Sequence, residues 1–168
     1  MPSPRIIKEL KDRIYFVTFV IKNWYYVFDR HNRFQLLEDS FIYCQKYKNL
    51  KIYGFVFMIN HLHFIAQAPD LAEVIRDMKT HLSKEMQKNI IATEPEVLKL
   101  FKTTGSGYSF WEASNFPKLI QTEEMFEQKM NYMHYNPVKK EFVNYLEDWK
   151  WSSASKIPTS VKITQLSI

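Results

Sequence analysis

The chain has 168 residues, 46% hydrophobic and 24% charged, with a net charge of +5. Three glycines against 13 Phe, 10 Tyr and 4 Trp exclude a low-complexity or disordered chain and imply one well-packed core. A single cysteine excludes a disulfide framework, and no apolar run reaches the roughly 18 residues of a membrane span. The opening Met-Pro-Ser-Pro-Arg has no apolar signal segment, so a cytoplasmic protein with no membrane partner is expected. The basic balance leans toward a polyanionic partner, since Lys and Arg gain affinity by displacing counterions from phosphates.

Residues 14–20 (IYFVTFV) are β-branched and aromatic and predict a buried strand. Residues 34–47, with Leu37, Phe41 and Cys44 near helical spacing, predict a helix. Residues 50–58 predict a second strand, Ile59-Asn60 a tight turn, and residues 61–67 a third strand paired with the second. Residues 71–91 read as a helix with Asp70 as its N-cap. The stretch 103–107 (TTGSG) is expected to be the most flexible loop, and residues 116–120 a short strand that Pro117 confines to a sheet edge. Thr122, followed by Glu123 and Glu124, opens another helix, expected to end near Asn136 because a residue before proline leaves the helical region. Residues 145–155 form a short turn or helix packed by Trp149 and Trp151.

The order strand, helix, strand, strand, helix, strand predicts an α+β, ferredoxin-like or RNA-recognition-like sandwich. An antiparallel sheet then carries helices on one face and leaves the other for a ligand or a further helix. One domain spans 1–168, with its core at about 13–154 and a tail at 155–168.

Two segments break the apolar pattern. His61 and His63 stand two apart in a strand, so both imidazoles share a face and can reach one ion. Two edge histidines that bind nothing fit the same spacing. In the last helix, Phe126, Met130 and Met133 make a core stripe, and Tyr132 and Asn136 are i, i+4 neighbours on its flank. Tyr135 points to solvent. Taken singly, a packing tyrosine and an Asn-Pro helix stop explain these residues.

Together, the two segments resemble the single-tyrosine HUH transposases (His, hydrophobic, His), above all the REP-associated tyrosine transposases and their insertion-sequence relatives. The matching stretches are Met58 through Ile65, Phe110-Trp111 to Ile120, Tyr132 through Lys139, and the acidic-aromatic close Glu147 to Ser153. The resemblance implies that His61 and His63 are metal ligands with Asn136 as the third, and that Tyr132 is the nucleophile. It implies Mg²⁺ or Mn²⁺ as cofactor and a single-stranded DNA hairpin as partner, cut and rejoined through a covalent 5′-phosphotyrosine. Lys139, Lys140, Tyr108 and Trp111 are candidate DNA contacts, with Tyr25 and Tyr26 as further stacking candidates. Insertion-sequence relatives are typically homodimers and REP-associated ones can be monomers. The competing readings are a domesticated, non-catalytic hairpin binder of the same fold and a phosphodiesterase that uses water.

Overall fold

The computed structural model describes residue 6 and residues 11–167. Its elements run β1 (Tyr15–Val20), α1 (Arg33–Tyr47), β2 (Lys51–Phe57), β3 (His61–Gln67), α2 (Leu71–Thr93), β4 (Lys118–Leu119) and α3 (Glu123–Lys139). The four strands lie in the order β2-β3-β1-β4, and every pair is antiparallel. This is the α+β, ferredoxin-like sandwich that the element order predicts.

Side-chain alternation sorts the strands between two faces. Tyr15, Val17 and Phe19 of β1, with Leu62, Phe64 and Ala66 of β3, join the large apolar core shared with α1 and α2. Phe16 of β1, Val56 of β2 and Ile65 of β3 turn to the opposite face, where Phe126 and Met133 of α3 cover them in a second, smaller cluster. Gly54 of β2 permits the close approach of α3, because a Cβ there would run into the Met130 sulfur. The face left open by α1 and α2 is therefore occupied by α3.

Both predicted caps form. The Asp70 side chain accepts from the Glu73 amide, and the Thr122 hydroxyl accepts from the Met125 amide. β4 is an edge strand of two residues, shorter than the 116–120 stretch. The 103–107 loop is closed at its base: the Thr103 amide and hydroxyl both donate to the Gly107 carbonyl, and Lys102 bridges Tyr108.

The end of α3 corrects the sequence reading. The helix passes Asn136, continues through Pro137 and stops at Lys139. An interior proline forfeits one helical hydrogen bond and crowds the carbonyl four residues back. Here the following turn compensates. The Phe142 amide bonds the Pro137 carbonyl and the Glu141 amide bonds the Val138 carbonyl, with Glu141 left-handed at φ 63°. Those two bonds make a Schellman motif, which satisfies carbonyls that a helix stopping at Asn136 would leave to water.

Candidate active site

His61 and His63 lie on the α3 face of β3, both buried, with ring centroids 4.9 Å apart. Each ring is oriented through Nδ1. His61 Nδ1 lies 2.7 Å from Asn60 Oδ1, to which it donates, and the Asn60 amide nitrogen donates to the Trp24 carbonyl. His63 Nδ1 lies 2.8 Å from the Thr18 hydroxyl, its cross-strand neighbour on β1. With both Nδ1 atoms engaged, each Nε2 is left for another partner, the arrangement that second-shell bonds give to histidine ligands. Burial lowers the His61 pKa to about 4, with a smaller contribution from Lys140. Burial, then His61 and Lys129, lower that of His63 to about 3. Both imidazoles are therefore neutral at pH 7, as metal ligation requires.

Tyr132 is half exposed and sits edge-on to His63 at 5.5 Å and to Phe16 at 6.2 Å, the latter two rings being stacked on each other at 5.2 Å. One turn on, Asn136 is buried. A further turn on, Lys140 is close enough to His61 for its charge to lower the imidazole pKa. Residues four apart share a helix face. The row Tyr132, Asn136, Lys140 therefore runs along the direction from His63 to His61, with buried Asn136 as its middle member. The continuation of α3 through Pro137 carries Lys140 to that place. Among the described residues no cluster of three or more His, Cys, Asp or Glu could hold a metal. The amide of Asn136 is what would extend the two-histidine set, giving a mixed N/O site.

The other predicted contacts separate. Lys139 and Lys140 are exposed at the end of α3, whereas Tyr108 is half-buried against the core. Trp111 is buried against Phe19 and Phe28, and its indole N–H donates to the Lys79 carbonyl. It packs the core and offers no face to a base. Tyr25 stands edge-on to Phe101, and Tyr26 is 60% exposed.

Sequence reasoning missed three neighbours of the site. Lys129 stands 5.1 Å above the Phe16 ring, and burial and the nearby Lys118 lower its pKa. His134 Nε2 lies 2.7 Å from the Ser153 hydroxyl, which also accepts from the Phe55 amide. That contact fastens the tyrosine helix to β2. Trp24, at φ 57°, packs edge-on to His61. Only Lys129 had a usable signal, since it lies three residues before Tyr132 on the same helix face.

No protein-family model matches the chain. A curated protein of Haemophilus influenzae named as a REP-associated tyrosine transposase is 24% identical over 149 residues, covering 85% of this chain and 80% of its own length. A solved structure described as a REP-associated tyrosine transposase bound to a REP hairpin superposes with a TM-score of 0.70 at 16% identity, over 99% of this chain and 100% of its own. In sequence and in fold, this chain resembles the REP-associated tyrosine transposases. The likeness to those transposases spans nearly the whole chain, including the 145–155 segment. There Trp149 donates to the Phe57 carbonyl, and Trp151 stacks on Phe34 at 5.2 Å. Among the described residues no helix is long and apolar enough to cross a membrane.

Proposed function

We propose that the protein is a metal-dependent single-stranded DNA transposase that cuts and rejoins strands through a covalent 5′-phosphotyrosine on Tyr132. The observation that carries this reading is an exposed tyrosine held against a buried, neutral histidine of the same chain. That histidine is one of a pair whose Nε2 atoms are both left available. The similarity to transposases, one of them solved with a REP hairpin, supports a DNA hairpin as the substrate class.

The residues fit a divalent cation. Neutral His61 and His63 with the amide oxygen of Asn136 would hold Mg²⁺ or Mn²⁺, which when bound would polarise the scissile phosphate and offset its developing charge. The protein's own groups do the rest. Phe16 and His63 brace the Tyr132 ring, so its hydroxyl meets phosphorus in a fixed direction. The Tyr132 oxygen bonds to phosphorus as the bond to the 3′-oxygen breaks. That oxygen leaves with the electron pair and gains a proton, matching the one the tyrosine gives up. Lys129 on one side and Lys140 on the other supply positive charge to the strand. Because the intermediate keeps the phosphoester, a returning 3′-hydroxyl can reverse the step without a nucleotide cofactor.

The test is incubation with end-labelled single-stranded hairpins from the DNA flanking the gene, with Mn²⁺ or Mg²⁺, followed by a denaturing protein gel. Label moves onto wild-type protein and not onto Tyr132→Phe or His63→Ala. An adduct that survives Tyr132→Phe means another nucleophile. Cutting without an adduct means water attacks, and binding without cutting means a domesticated hairpin binder.

A further inference from the structure

We infer that Trp24, Tyr26 and Phe142 form a nucleobase site on the His61 side of the active centre, for the nucleotide that carries the leaving 3′-oxygen. The inference rests on the transposase reading and adds to it a position and a direction.

The rings of the site stand in a file. Tyr132 touches His63, His63 touches His61, and His61 touches Trp24, with centroid separations of 5.5, 4.9 and 5.4 Å. An in-line displacement puts nucleophile and leaving group on opposite sides of phosphorus. With Tyr132 at one end of the file, the leaving oxygen and its nucleoside lie toward the other.

At that end is a shallow cavity of about 80 Å³ lined by Trp24, Tyr26, Asn60, His61, Lys140 and Phe142, among others. It is too small to enclose a nucleotide, but its rim is unusually aromatic for a surface. Trp24 is 54%, Tyr26 60% and Phe142 42% exposed. Aromatic faces next to a cation are what a single-stranded base and its phosphate require. Lys140 is that cation, and among the described residues no carboxylate pairs with it.

The site is held in place. Asn23 and Trp24 both lie in the left-handed region, at φ 57°, a rare conformation for a bulky residue. Fixed contacts maintain it: the Asn23 amide donates to the Glu112 carboxylate, Asn60 donates to the Trp24 carbonyl, and the Val27 and Phe28 amides share the Ile59 carbonyl. Across the cavity, the Schellman turn after Pro137 delivers Phe142, whose ring stacks on Trp149 at 5.5 Å. Strain maintained around exposed aromatic rings beside a reactive centre is a mark of a binding site.

The experiment uses the full chain and the same flanking hairpins, each carrying one 2-aminopurine moved along the strand. The wild-type adduct locates the cut phosphate, and fluorescence is then read on Tyr132→Phe protein, which leaves the strand whole. Quenching is expected to peak at the nucleotide 5′ to the cut. Adding Trp24→Gly should abolish it and weaken binding about 5- to 100-fold, the range of one lost base stack. Glycine suits the left-handed backbone, so that variant should melt no lower than its parent. Tyr26→Leu, which keeps apolar bulk, should lose part of the quenching. A peak 3′ to the cut, or quenching that survives both variants, overturns the inference. If no strand gives an adduct, the transposase reading fails, and the same scan judges the pocket alone. A position quenched by wild type and released by Trp24→Gly supports a base site, and the absence of any such position overturns it.

Discussion

The two faces of the sheet are built from the same strands to opposite ends. On β3, Leu62, Phe64 and Ala66 enter a continuous apolar core under α1 and α2, while His61 and His63, alternating with them, face α3. The first face is large and contains no ionisable group from β3. The second is smaller, and it buries two imidazoles under a helix that leaves Tyr132 half exposed. One face is therefore an unbroken apolar core, and the other gives up apolar contact to bury two imidazoles. A buried polar group costs free energy unless it is partnered, which is why Thr18 and Asn60 stand at the Nδ1 atoms.

The sharpest division between the faces should come from Tyr132→Phe. Adduct formation should fall to background while the melting temperature stays within about 2 °C, since the hydroxyl of an exposed ring holds nothing together. Mixing that variant with His61→Ala should not restore cleavage, because Tyr132 lies against His63 of its own chain. Restored cleavage would show the tyrosine acting in trans. On the opposite face, Phe64→Ala should cost about 3–5 kcal/mol in denaturant unfolding, through lost burial and the cavity left behind.

Acid should act on the α3 face first. The folded pKa values of about 4 for His61 and about 3 for His63 lie below the unfolded value near 6.5. The unfolded chain therefore binds more protons in that interval, and stability is complete above pH 6.5 and falls as pH drops toward 3. Each histidine contributes on the order of a few kcal/mol. Unfolding in chelator across that range should be visibly flatter for His63→Gln, and an unchanged slope would contradict the burial of a neutral ring.

Smaller effects follow at the rim. Ser153→Ala unpartners His134 and should cost about 1–3 kcal/mol, slowing adduct formation as α3 loosens. Lys140→Ala should weaken binding to all strands alike and reduce the slope of log affinity against log salt by about one. A base-selective loss instead would assign Lys140 to readout and not to the phosphate.

The sequence by itself carried the strand and helix order, both N-caps, the shared face of His61 and His63, and the i, i+4 pairing of Tyr132 with Asn136. All of these are local periodicities, set by backbone geometry within a few residues. It misread the end of α3, because the penalty of Pro137 is local whereas its compensation is a turn completed five residues later at Phe142. It also took Trp111 for a surface ring, since an indole reads the same in sequence whether its face meets a base or meets Phe19 and Phe28. Only the tertiary structure could bring Trp24, His61 and Phe142 around one cavity, because they come from three segments joined by no local pattern. Contacts between segments far apart in the chain depend on how whole elements pack, and that packing set the order of groups along the site.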